Sequence, residues 1–221
     1  MRYSDLVHAF RLSPVVSLDE IRAMDAHFHR RRLNDWQKKG YLQKIVKGHY
    51  LFTGRTPDFA TRCHIANRIY PLSYVSFQTA LLHYGLIPAV SEVMIVSAAS
   101  RRTYTFETQV GQFHNHHLKA DIMFGYETTT INGISFSMAN LEKALLDYLY
   151  INSNIIKKEH FRELNINPDV FYHHLDLKRL QEYLMKFQSP TLTRRTIRLI
   201  RFMAKHTQNT ESQNSPTLGE F

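Results

Sequence analysis

The tightest constraint on the fold lies in residues 4–53, where helix signals, a basic amphipathic stretch and a hairpin follow one another without a gap. Ser17-Leu18-Asp19-Glu20 has the form of a capping box. In such a box the serine hydroxyl takes an orphan amide three residues on, and the glutamate reaches back to the cap. A short helix is therefore predicted with Leu18 and Ile21 inward, ending near Met24. After a turn at Asp25, residues 27–39 are expected to form a second helix. At about 100° per residue, Ala26, Leu33, Trp36 and Gly40 gather on one side and His27, Arg31, Asn34 and Lys38 on the other. Gly40 is a natural C′ stop. Residues 41–46 are expected to pair with 49–53 across Lys47-Gly48, and Leu6, Val7 and Phe10 supply a preceding helix with a partner surface. Phe28 falls off the apolar side, so either the helix starts after it or it packs under the first helix.

This order is that of a winged helix-turn-helix whose second helix enters a major groove. Three consecutive arginines alone are usually a solvated helix face. Their combination with a cap, a tight turn and a basic hairpin points to duplex DNA. Arg30, Arg31 and Asn34 would then lie nearest base edges. Lys38, Lys39, Lys44, Lys47 and His49 would grip phosphates, with His27, His29 and Arg32 completing the surface.

Charge is distributed in the same sense. The net +9 of the 221 residues is not spread evenly. Residues 1–54 hold ten Lys/Arg against five Asp/Glu, residues 55–190 hold 13 against 12, and residues 191–206 hold five against none. Two cationic regions flank a near-neutral body, a pattern suited to two phosphate contacts. The second is the expected helix 192–205, where Ile197, Ile200 and Ala204 face a core while Arg194, Arg198, Arg201 and Lys205 form a row beside Arg195. Like charges three and four apart repel by a few tenths of a kcal/mol each, roughly, so an anionic partner would relieve a standing cost. Solvated surface paired to acids elsewhere is the plainer alternative.

With 43% hydrophobic residues the chain can bury at least one full core, and two are expected. No apolar run approaches the roughly 20 residues that span a bilayer, and no signal peptide is read before the first helix, so a cytoplasmic, membrane-free protein is expected. The single cysteine, Cys63, excludes an internal disulfide and suits a reducing compartment; it reads as helix packing.

Beyond Gly54-Arg55-Thr56-Pro57 the sequence predicts a helix with Phe59, Cys63, Ala66 and Ile69 inward. A second helix is capped by Ser76, buries Ala80, Leu81 and Tyr84, and closes at Gly85. Strands are expected over 93–96, 102–108, 112–118, 121–126 and 134–137, with an Asn132-Gly133 hairpin. An amphipathic helix follows over 140–149, and only helices beyond about 152, including 176–187 with Leu177, Leu180, Leu184 and Phe187 inward. Residues 207–221 are polar and are assigned no fold. The fold class is thus α+β. It comprises a winged helix-turn-helix over 1–54, then a mixed α/β domain with a mainly antiparallel sheet over 55–206, helical in its last part.

Three segments resemble the AbiEi-type antitoxins, transcriptional regulators of type IV abortive-infection toxin–antitoxin systems. Residues 33–42 with Lys47-Gly48-His49-Tyr50 look like the family's recognition helix and wing, with Trp36 where an aliphatic is usual. Residues 74–86 resemble the block that opens its second domain, and Asn140-Leu141-Glu142-Lys143-Ala144-Leu145-Leu146-Asp147 its Glu-Lys-Ala-Leu-Leu-Asp helix. The resemblance covers residues 1 to about 150. It implies a repressor of its own operon that binds promoter repeats. It also implies an antitoxin that counteracts a nucleotidyltransferase toxin without a stable complex.

Catalytic chemistry is not evident. His114 and His116 share a strand face, but no third or fourth ligand is placed by sequence, so neither metal nor cofactor is expected. Glu142 and Asp147 point about 140° apart and cannot share a proton or a metal; Glu142 is expected to support the start of its own helix or a neighbouring loop. Phosphate-loop, nucleophile-elbow, zinc-protease, nuclease and nucleotidyltransferase patterns are all missing, which argues against an enzyme. The alternative reading is an orphan winged-helix regulator whose second domain senses a small molecule or recruits a protein.

Overall fold

The computed structural model describes residues 1–54, 56–88 and 94–213, the backbone alone for 206–213. They gather into two compact units. One is Met1–Val75 with Glu92–Ala139, and the other is Ser76–Ser91 with Asn140–Phe221. The composition break at Gly54-Pro57 falls inside the first unit. The class is α+β.

The first unit begins with α1 (Tyr3–Ala9), β1 (Val15–Ser17), α2 (Leu18–Met24), α3 (Arg31–Lys38), β2 (Leu42–Val46) and β3 (His49–Phe52). Ser17 and Glu20 form the expected reciprocal box, with the Glu20 amide donating to Ser17 Oγ at 3.2 Å and the Ser17 amide to Glu20 Oε2 at 2.8 Å. The small sheet has three strands, not two: β1 pairs antiparallel with β3 in the order β1-β3-β2. Val15 and Val16, both buried, give this third strand a reason to dock.

Next come α4 (Phe59–Ile69), β4 (Tyr74–Val75), β5 (Ile95–Ala99), β6 (Tyr104–Thr108), β7 (Gly111–His117), β8 (Tyr126–Ile131) and β9 (Ile134–Ala139). They form a six-stranded sheet in the order β6-β7-β5-β4-β9-β8. The β4–β9 and β5–β7 pairs are parallel and the other three antiparallel. Asp58 caps α4 by accepting the Thr61 amide at 2.8 Å. Cys63, Ile65 and Ala66 are buried where α4 covers the sheet, and burial pushes the Cys63 thiol up. The β8–β9 hairpin turns through Asn132 and Gly133, both at positive φ, as a two-residue primed turn requires.

Two strands depart from expectation. Residues 121–126 do not form one: Ala120–Ile122 is a 3₁₀ turn, Gly125 breaks the chain at positive φ, and β8 starts at Tyr126, running through three threonines whose β-branching favours the pleat. The strand expected over 93–96 starts at Ile95 and continues to Ala99; Val93 lies outside the described residues.

The second unit comprises α5 (Phe77–His83), α6 (Leu141–Ile151), α7 (Lys158–Glu163), α8 (Pro168–His173), α9 (Leu177–Phe187) and α10 (Pro190–Gln213). Helix α6 is its centre, packing on α5, α9 and α10 and burying Leu141, Ala144, Leu145, Leu146 and Leu149. It also buries three charged residues. Lys143 and Asp147, one turn apart and both inaccessible, form an ion pair. Ser76 Oγ donates to Asp147 Oδ2 at 2.7 Å, so this serine does not cap α5 with its side chain as expected. Phe77, next along, sits at φ +54°, a left-handed conformation costing a bulky residue of order 1–3 kcal/mol. Glu142 accepts the Asp176 amide at 2.7 Å and thereby holds the residue that precedes α9, the neighbouring-loop role among the two expected of it and not support of its own helix start.

Helix α10 differs most from its sequence reading. Its inner face is Leu192, Arg195, Thr196, Leu199 and Met203, while Ile197 is 40% exposed and Ala204 is exposed. It also runs to Gln213, so residues 207–213, assigned no fold from the sequence, are helical. Leu177 on α9, expected inward, is likewise exposed; Leu180 and Phe187 are buried.

Candidate nucleic-acid interface

Helix α3 is fixed from behind. Leu33 and Trp36 are buried in a cluster with Leu6, Val16, Ile21, Phe28, Leu42 and Tyr50. The Trp36 ring meets Tyr3 edge-on and Phe28 at a tilt, each at 5.6 Å between centroids. At its end the Gly40 amide donates to Gln37 O and the Tyr41 amide to Trp36 O, both at 2.9 Å. That is the Schellman arrangement, and Gly40 supplies the positive φ of +69° it needs. Tyr41 then stacks on Tyr3 at 4.6 Å.

The helix is shorter than its sequence suggests. It starts at Arg31, with Arg30 as the cap residue, because Phe28 turns into the core and pulls the preceding segment out of helical geometry. His27 and His29 therefore lie in the turn before α3, exposed, and Ala26 is exposed as well. Arg30, Arg31, Arg32, Asn34, Lys38 and Lys39 are all exposed around the outward side. None of these cations makes an ion pair with a described residue.

In the hairpin Lys44 and Lys47 are exposed, on β2 and in the turn. His49 is different. It is half-buried opposite Ser17, its Nδ1 has no hydrogen-bond partner, and burial lowers its pKa below the ordinary imidazole value. Unlike Lys44 and Lys47, which are exposed, it does not stand clear of the hairpin surface as the sequence reading expected. Arg68 of α4, unremarked in the sequence, reaches the Glu20 carboxylate at the α2 cap. Burial opposes the charged form of Glu20, but hydrogen bonds from Arg68 and from Ser17 outweigh it and hold the carboxyl below its usual range. Ser13 Oγ lies 3.2 Å from His64 Nε2, a second tie from α4.

On α10 the exposed row Arg194, Arg198, Arg201 and Lys205 is present. Arg195 does not belong to it: the side chain is buried and donates to the Leu149 carbonyl.

His114 and His116 do share a face of β7, their rings 4.3 Å apart. His114 Nδ1 is 2.6 Å from Thr105 Oγ1. Among the described residues no cluster of three metal-ligating side chains exists. Burial, with the His114 ring beside it, pushes His116 down to about 4. The unfolded chain would take up a proton near the ordinary value of 6.5 while the folded chain resists until about 4. Stability should therefore fall as pH drops from 6.5 to 4 and level off below. His116→Gln is expected to flatten that part of the profile, measured as urea midpoint against pH; an unchanged slope would show the ring to be open to solvent.

No helix among the described residues is long and apolar enough to cross a membrane. In sequence, the chain matches no protein-family profile and no curated protein.

Proposed function

We propose that residues 1–54 are a winged helix-turn-helix and that the chain is a sequence-specific DNA-binding repressor, the antitoxin of a type IV abortive-infection system. The observation that carries the reading is the asymmetry of α3. Leu33 and Trp36 are anchored on one side, and unpaired Arg30, Arg31, Arg32 and Lys38 face outward with exposed Lys44 and Lys47 beside them. A rigid helix that presents free guanidinium forks suits the guanine edges of a major groove, and lysines suit phosphates. The antitoxin role rests on the family resemblance. In it the protein counteracts a nucleotidyltransferase toxin without a lasting complex, and the cationic row of α10 offers a second nucleic-acid contact.

An electrophoretic shift on the region upstream of its own gene tests the reading. Arg31→Ala is expected to cost about 1–3 kcal/mol and to relax sequence preference, whereas Lys47→Ala should weaken all sequences alike and reduce the salt slope by about 1. Equal weakening on every sequence by Arg31→Ala would reassign that residue to the backbone. Co-expression with an adjacent nucleotidyltransferase should restore growth; failure there, with operator binding intact, leaves a regulator without the antitoxin role.

A further inference from the structure

Helix α4 stops at Ile69 and Pro71 follows, so the cover over the six-stranded sheet ends there and a groove of about 840 Å³ opens toward β6. That volume lies in the range of ligand sites, about 300–1,000 Å³. Its lining includes Tyr70, Arg101, Arg102, Tyr104, Phe106 and His117, and no carboxylate. Alternation along β6 puts Tyr104 and Phe106 on one face and Thr105 and Glu107 on the other. The aromatic floor is fixed: Phe106 lies 4.7 Å from Tyr104 and 5.5 Å from Tyr70, and the Tyr70 hydroxyl donates to the Tyr104 carbonyl at 3.0 Å. The Tyr104 side chain nevertheless remains 56% exposed.

The segment carrying the two arginines is held as firmly. Asn115, fully buried, donates its amide to the Arg102 carbonyl at 3.2 Å, and Thr103 Oγ1 accepts the His117 amide at 3.1 Å. Arg101 and Arg102 themselves are exposed and make no ion pair with a described residue. Adjacent like charges with no ion-pair partner among the described residues, set at the edge of an uncovered aromatic ring, call for a ligand that is both anionic and flat. Guanidinium forks match phosphate, and a ring face matches any nucleobase. The carbonyl end of α4 borders the floor, where its partial negative charge disfavours phosphate and suits a base's amino edge.

We propose that this groove binds a nucleotide unit with its base unstacked, as single-stranded nucleic acid presents it. The base lies on Tyr104, and the phosphate is held by Arg101 and Arg102. A duplex hides its base faces, so the site is separate from the surface of α3 and does not depend on its role.

The test is fluorescence anisotropy of the full chain with labelled RNA and DNA hexanucleotides, with AMP as competitor. Tyr104→Ala should weaken oligonucleotide binding about tenfold, in the range for loss of one stacked base, while Tyr104→Phe retains it. Arg101→Ala with Arg102→Ala should weaken it further and reduce the salt slope by about 0.7, the single-strand value for one phosphate. Duplex binding and thermal midpoint should be unchanged in all three, since the altered side chains are exposed. AMP that binds as tightly as the hexamers identifies a free nucleotide as the ligand; AMP that fails to compete identifies a strand. Hexamer binding insensitive to these substitutions, or binding of neither hexamer nor AMP, overturns the assignment while leaving duplex binding by α3 standing.

Discussion

Asp147→Ala is expected to destabilise the protein by about 3–5 kcal/mol, because it strands the Lys143 ammonium in an inaccessible site. The Ser76 hydroxyl loses its acceptor in the same substitution. Burial already pushes Lys143 down, against the pull of Asp147. In the variant the folded state would favour the neutral amine more strongly still. A lysine lowered on folding binds fewer protons folded than unfolded, so stability rises with pH through that interval. Part of the loss should therefore be regained in alkaline buffer. Replacing both partners, as Lys143→Met with Asp147→Leu, should recover most of the deficit, since matched apolar pairs often equal a buried ion pair. Urea unfolding at two pH values measures this. A single-site cost below about 1 kcal/mol would mean that water reaches the pair.

The second large effect is on binding. Converting Arg30, Arg31 and Arg32 together to alanine should lower operator affinity by about 3 kcal/mol or more, taking the lower end for each base-reading or phosphate contact. The slope of log affinity against log salt should flatten by up to about 2.7, as three neutralised phosphates would require. The thermal midpoint should hardly move, because exposed substitutions stay within about 0.5 kcal/mol. Lost affinity with unchanged stability separates an interface from a structural role. Unchanged affinity would defeat the DNA-binding reading outright.

What could be read in advance followed a physical rule. The Ser17–Glu20 box, the Gly40 stop and the Asn132-Gly133 turn are local, set by a few neighbouring residues, and each stands as expected. The start of α3 depended on where Phe28 buries itself, a tertiary matter, and moved accordingly. On α10 the charged row was placed correctly, but apolar residues lie all round the helix. Periodicity could not choose between Ile197 and Leu199, and the burial of Arg195 against the Leu149 carbonyl had no local signature. Nothing local marks Lys143 and Asp147 as a buried ion pair; the packing around α6 makes them interior. The groove at β6 was invisible for another reason, since Tyr70, Tyr104 and His117 are brought together by sheet order and not by spacing along the chain.

If α3 reads a duplex as proposed, its brevity limits what it can recognise. Eight helical residues extend about 12 Å, the rise of roughly four base pairs. So few letters recur by chance throughout any genome. An address that is unique would have to be spelled several times over, by tandem sites or by copies of the protein bound side by side.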